Sequence, residues 1–245
     1  MIDSSLLTIP DWNAPTNITA FTTQVSRGFS QGVYQSLNVG LHVGDKSQDV
    51  ESNRCELPHF DKIHWLDQTH SNIAIQLPNK NITGDAAYTS RHSSACAVMT
   101  ADCLPIIVTD TQSRVVCAIH AGWKGLRNNI IPNTIRQAFG QIPAEEIIAW
   151  IGPHIRQCHF EVDLALAMQF DQYNNAYFST ENSGKAMLDL ESIAYQQLCH
   201  LGIKQITSNA ECSYCEAGKY FSFRRSSHQG FENCGRMVTV IMKRK

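Results

Sequence analysis

What most constrains the fold of this chain is the alternation, from end to end, of short apolar runs of strand length with segments of helical period. Ala95–Thr100, Leu104–Thr109, Arg114–His120, Ile147–Ile151 and Met237–Met242 are largely apolar runs, the pattern of strands buried on both faces. Ile18–Phe29 reads as a strand and a turn, and Ile63–Leu66, Ile73–Leu77 and Phe221–Phe223 as shorter strands. Ser47–Leu57, Leu126–Phe139, Val162–Tyr173 and Leu188–Leu201 read as helices. Gly140 and Gly202 stop two of them, and Pro132 belongs in the first turns of its helix or at a kink. No repeat, heptad or low-complexity linker divides the chain. Strands and helices mixed throughout predict one α/β or α+β domain over residues 1–245 in preference to two.

With 245 residues, 43% of them hydrophobic and 17% charged, the chain can bury a large core without staples. A formal charge of −2 gives no electrostatic footing for nucleic acid or an anionic membrane. No stretch approaches the ~18 apolar residues that span a bilayer. Met1–Leu7 lacks the basic n-region and long apolar core of a secretion signal, so a cytoplasmic location is expected. The nine cysteines are odd in number and form no disulfide framework. In a reducing compartment such residues are buried thiols, metal ligands or nucleophiles.

Three residues at the edges of these runs carry the chemistry. His70 lies in Gln68-Thr69-His70-Ser71, Cys103 in Thr100-Ala101-Asp102-Cys103-Leu104-Pro105, and His120 in His120-Ala121-Gly122-Trp123-Lys124-Gly125. Two imidazoles and a thiol suit a borderline-soft cation such as zinc, and three protein ligands leave a fourth corner open, as in catalytic sites. Taken singly, each has a plainer reading: a histidine beside a strand is usually a hydrogen-bonded structural residue, and a cysteine in an apolar stretch is usually core.

In these blocks the chain resembles the YfiH/YlmD-type laccase-domain family, proteins labelled polyphenol oxidases and later linked to purine nucleoside metabolism. The matching segments are Ser36–Asp45, Asn53-Arg54, Gln68-Thr69-His70, Gly84-Asp85-Ala86, Thr100–Pro105, His120–Gly125, Ile151-Gly152-Pro153 with Phe160-Glu161-Val162, and Phe221–Arg225 followed by Gly235-Arg236. The resemblance implies an α+β fold of mixed β-sheets flanked by helices, distantly like toxin cysteine hydrolases. It implies metal ligation by His70, Cys103 and His120. It also implies phosphorolysis of adenosine, inosine, guanosine and methylthioadenosine, with deamination of adenosine, so the expected partners are a purine nucleoside and phosphate. The chain departs from the family pattern at Arg27-Gly28-Phe29, where Gly-Gly is common after the Arg. It departs again at Ser71, where Gly is usual, and in a longer link from Arg225 to Gly235.

Catalytic roles are expected for Cys103, His120 and Asp102. Asp102 is read equally as a ligand-orienting or acid/base group and as a turn residue. Asn38, His42, Arg54 and Lys124 are candidates for binding substrate, against the alternatives of turn chemistry for Asn38 and solvated surface for Arg54 and Lys124. Trp123 reads as packing. Arg224-Arg225 and Arg236 are candidates for an acidic substrate or a neighbouring subunit, or ordinary surface arginines. Cys212-Ser213-Tyr214-Cys215 has no second Cys-x-x-Cys to complete a metal site, so reduced structural thiols are expected.

Three rival functions stand beside the phosphorylase. The first is a cysteine hydrolase with a Cys103/His120 dyad acting on an amide or a cell-wall peptide precursor. The second is a copper-dependent polyphenol oxidase, against which stand ten histidines without one His-x-His pair, although copper(II) outcompetes zinc at mixed Cys/His sites. The third is a nucleoside-binding protein without catalysis. Monomer and dimer are both open.

Overall fold

The computed structural model describes residues 6–181 and 184–245. Most of the N-terminal segment read above for a secretion signal, Met1–Ser5, lies outside them, as do Asn182 and Ser183. The described strands are β1 (Leu7–Thr8), β2 (Ile18–Thr23), β3 (Ile63–His64), β4 (Ala74–Gln76), β5 (Ala86–Thr89), β6 (Ala95–Thr100), β7 (Leu104–Asp110), β8 (Val116–Ala121), β9 (Ile147–Ile151), β10 (Glu161–Asp163), β11 (Tyr177–Ser179), β12 (Lys185–Leu188), β13 (Gln205–Ser208) and β14 (Met237–Lys243). The α-helices are α1 (Ser47–Cys55), α2 (Trp123–Arg127), α3 (Ile130–Phe139), α4 (Leu164–Ala167), α5 (Leu190–His200) and α6 (Phe223–His228). Among the described residues no helix is long and apolar enough to cross a membrane.

The strands form a five-stranded sheet in the order β1-β2-β14-β6-β3, a six-stranded sheet in the order β13-β9-β7-β8-β5-β4, and a small sheet β10-β12-β11. Parallel pairs (β3 with β6, β4 with β5, β13 with β9) sit among antiparallel ones, so the architecture is mixed α+β. The two large sheets meet face to face. Cys96 and Val98 of β6 and Ile241 of β14 pack with Ile107 of β7, Val116 and Ala118 of β8, and Trp150 of β9. On the far face of the six-stranded sheet, Ile106, Val108, Cys117 and Ile119 pack against Ile131, Ile135 and Phe139 of α3 and Ile193 and Leu198 of α5. Successive residues of a strand point to opposite faces, so strands between two apolar layers must be apolar throughout. That is why β7 and β8 read as near-continuous runs.

Three local expectations need correction. The helix expected over Leu126–Phe139 is two, because Asn129 takes a left-handed conformation (φ 61°) between α2 and α3. Pro132 then falls in the first turn of α3, where no helical N–H is lost. Val162–Tyr173 begins as strand β10 paired with β12, and only Leu164–Ala167 is α-helical, followed by a 3₁₀ turn at Met168–Phe170. Phe221–Phe223 is no strand: the Ser222 side chain accepts a hydrogen bond from Arg225 N and starts α6 at Phe223.

Candidate metal centre and active site

Cys103 sits in the short link that carries the chain from β6 in one large sheet to β7 in the other, and His120 is next to last in β8. Along β8 His120 has the same parity as Val116 and Ala118, so it faces the layer between the sheets. His70 belongs to a loop whose backbone is gathered around one carboxylate. Asp85, fully buried, accepts hydrogen bonds from the backbone N–H of Thr69 (3.2 Å), His70 (3.0 Å) and Ser71 (2.6 Å), and from the Ser71 hydroxyl (2.7 Å). Asp85 Oδ1 also takes the Nδ1–H of His120 at 2.7 Å.

One carboxylate therefore places two of the three expected ligands. With Nδ1 engaged, His120 has Nε2 as its remaining ring nitrogen, the arrangement by which a carboxylate orients a metal-binding histidine. The donor atoms of His70, Cys103 and His120 all lie within 4.8 Å of one another. Cys103 Sγ is 3.9 Å from His70 Nε2, and the two imidazoles meet edge to face at 4.9 Å. Gly122 closes against them: a Cβ there would stand 2.8 Å from Cys103 Sγ and 3.1 Å from His70 Cδ2. The donor set, the spacing and the cradle fit a single divalent cation with one open position.

Electrostatics at the site are those of a charged pair. Burial pushes the Cys103 thiol up, but His120 and His70 outweigh it and bring it down to about 6. Burial pushes His120 down, but Cys103 and Asp85 outweigh that and hold it at about 9. The Asp85 carboxyl would rise on burial, yet the bonds from His120 and Ser71 keep it at about 2.

The three residues share a cavity of about 350 Å³. Its apolar wall includes Trp123, Phe160 and Phe223, and its polar rim His42 and the guanidinium groups of Arg224 and Arg236. Thr100 is among the lining residues, and its Oγ1 is buried without a hydrogen-bond partner. Arg224 lies over the Phe160 ring at 5.2 Å and donates to the carbonyl of Glu161 at 2.8 Å. Arg236 donates to the carbonyl of Cys234 at 2.8 Å.

The other expected site residues are placed differently. Asp102 lines the cavity in a left-handed conformation (φ 92°), with both oxygens engaged: Oδ1 accepts from Ser213 Oγ and Oδ2 from Arg224 N, each at 2.7 Å. Asn38 is buried away from the cavity lining, where it bonds Asp45, Gly40 N and Arg236 N. Arg54 is half-buried under Trp65 (3.7 Å), bonds the carbonyl of Val39 and is lowered to about 10 by burial. Lys124 is exposed on α2 and outside the lining. His42 does line the cavity, its pKa lowered by burial and by Arg236 and Arg54. Arg225 donates to the carbonyls of Ser213, Tyr214 and Tyr220 and so braces a turn. Asp85 had no assigned role in the sequence reading; its only local signal was Gly84-Asp85-Ala86 at a strand edge.

Residues 19–244 match the family described as multi-copper polyphenol oxidoreductase laccase. The chain belongs to the laccase-domain family. A Haemophilus influenzae relative named purine nucleoside phosphorylase is 40% identical over 243 residues, 95% of this chain and 97% of that one. Escherichia coli purine nucleoside phosphorylase YfiH is 34% identical over 97% of this chain and 98% of its own. The crystal structure of Neisseria meningitidis protein NMB0706 superposes with a TM-score of 0.86 at 33% identity, covering 98% of this chain and all (100%) of that one. Ser71 is integrated into the site, since its hydroxyl supplies one of the bonds to Asp85.

Proposed function

We propose that this chain is a zinc-dependent purine nucleoside phosphorylase that also deaminates adenosine, acting in the cytoplasm. The observation that carries the reading is a His70–Cys103–His120 donor set in one cavity with an aromatic wall and an arginine rim. The names of the relatives support the same substrate class. The aromatic side suits a purine. Arg224 and Arg236 suit inorganic phosphate, with guanidinium groups already held by backbone carbonyls.

In phosphorolysis a phosphate oxygen forms a bond to C1′ of the ribose while the C1′–N9 bond breaks, and its electron pair leaves with the purine, which takes up a proton. When bound at the three donors, zinc supplies Lewis-acid charge and an acidified water, the reagent that deamination at C6 requires. The residues do the rest. Asp85 fixes the His120 tautomer and the His70 loop, the aromatic wall excludes water, and the arginines neutralise the incoming phosphate. Adenosine, inosine, guanosine and methylthioadenosine are the proposed substrates.

The test is product analysis by mass spectrometry on metal-quantified protein, with and without phosphate. Phosphate-dependent adenine and ribose 1-phosphate are expected from adenosine, with inosine as the deamination product. Cys103→Ala should lose the metal of this centre and both reactions, and full activity in that variant would refute the assignment.

A second reading has its own support. A lowered Cys103 thiol beside a raised His120, itself held by Asp85, is the constellation of a cysteine hydrolase. Chelation separates the two: it kills the phosphorylase and spares or activates the hydrolase. Copper in place of zinc would give oxidation of phenols without phosphorolysis.

A further inference from the structure

The Cys-x-x-Cys pair that lacks a sequence partner finds one in space. The loop after β9 brings Cys158 and His159 against Cys212 and Cys215, and the four donor atoms all lie within 4.8 Å of one another. We propose that Cys158, His159, Cys212 and Cys215 form a second, closed zinc site whose role is structural.

Geometry carries the argument. Zinc–sulfur bonds of ~2.3 Å at a tetrahedral angle set thiolate sulfurs roughly 3.8 Å apart. Here Cys158 Sγ lies 3.8 Å from Cys212 Sγ and 3.9 Å from Cys215 Sγ. His159 Nδ1 lies 3.2 Å from Cys158 Sγ and 3.3 Å from Cys215 Sγ, so it faces the same point. Its ring is stacked on Tyr214 at 4.0 Å, which fixes that orientation. A disulfide would need sulfurs at ~2.05 Å and would use only two of the four groups. All of these cysteines are free.

The surroundings are those of a metal site as well. Arg156 N–H points at Cys212 Sγ (3.5 Å), the kind of outer hydrogen bond that steadies a thiolate ligand. Arg225 holds the carbonyls of Ser213 and Tyr214, and Ser213 N bonds the carbonyl of His154, so the Cys212–Cys215 turn is built before any metal arrives. On binding, three thiols release their protons to solvent and three sulfur–zinc bonds form beside the imidazole nitrogen. Four protein ligands leave no open corner, which marks a structural centre.

The site sits directly behind the cavity wall. Ser213, inside the Cys-x-x-Cys turn, donates to Asp102, and Asp102 in turn accepts from Arg224 N. Arg224 also reaches the carbonyl of His159 (3.4 Å). Zinc here ties the Ile155–Phe160 wall to the segment that carries Phe223 and Arg224.

Metal content of the purified full chain, measured by elemental mass spectrometry after zinc-supplemented expression and dialysis, tests this. The wild type should hold two zinc ions, Cys103→Ala one, and Cys158→Ser or Cys215→Ser one. Cobalt exchange into Cys103→Ala should give sulfur-to-metal charge-transfer absorption about three times that of the single-thiolate centre. This readout does not depend on the serine variants folding. One ion in the wild type and none in Cys103→Ala would overturn the proposal. So would an intact mass showing a disulfide among these cysteines in the protein as purified from zinc-supplemented cells, with no second zinc bound. Failure of nucleoside phosphorolysis bears only on the first centre and leaves this result standing.

Discussion

Asp85 is fully buried, yet it receives three backbone N–H groups, a hydroxyl and an imidazole, so its negative charge is met on every side the site presents. Asp85→Asn removes the charge that orients His120 and should weaken zinc at the first centre roughly 10–100-fold, read by competition with a chelating dye. The same substitution should alter acid stability. The carboxyl is held at about 2 against an ordinary 3.8, so its contribution is complete above 3.8 and is lost as pH falls through about 2. The variant should therefore lose part of its stability at neutral pH and show a flatter profile in that acid window, measured by denaturant titration at each pH. Cys103 makes a separate prediction. In metal-free protein the thiol pKa lies near 6 in place of 9, because the imidazoles outweigh burial. Alkylation followed on the Cys103 peptide should show a midpoint near pH 6, and zinc should block it.

At the scale of elements, α6 is short and capped twice at its start, by Ser222 Oγ on Arg225 N and by Asp102 Oδ2 on Arg224 N. That double cap turns the chain sharply after Phe221 and presents Phe223 and Arg224 to the cavity. Ser222→Ala should cost about 1 kcal/mol, a fall in Tm of roughly 2–4 °C. It should also raise KM for phosphate with kcat little changed, because Arg224 loses its fixed origin. Unchanged KM would mean that Asp102 alone positions the helix. The split between α2 and α3 follows the same logic at Asn129, where a left-handed residue re-aims α3 so that Ile131, Ile135 and Phe139 meet the six-stranded sheet.

At the scale of the whole molecule, the last strand is central. β14 pairs with β2 on one side and β6 on the other, and all seven of its residues are buried. Its Lys243 ammonium donates to the carbonyl of Ser113 at 3.1 Å, in the turn between β7 and β8 of the other large sheet. Removing residues 237–245 would leave β2 and β6 without their shared neighbour and open the apolar layer between the sheets. The truncated chain should fail to give dispersed amide NMR signals, and a folded truncation would disprove the central role of β14. The proposed first metal centre depends on the same closure, since Cys103 lies where the chain crosses from one large sheet to the other.

Strand and helix periodicity belongs to the sequence itself, because burial on both faces demands unbroken apolar runs and burial on one stripe demands helical spacing. β6, β7, β8, β9 and β14 were therefore legible, as were α1, α5 and the blocks around His70, Cys103 and His120. Capping and pairing are less local: Phe221–Phe223 has strand-like residues, and only the Ser222 and Asp102 caps make it a helix start. Convergence is not local at all. Nothing in Gly84-Asp85-Ala86 announces that its carboxylate organises residues fifteen positions earlier and thirty-five later. Nor does Cys158-His159 announce a meeting with Cys212 and Cys215 more than fifty residues away. Hydrophobic pattern is written along the chain, whereas a site is written across it, where sheet packing brings distant side chains within a few ångströms.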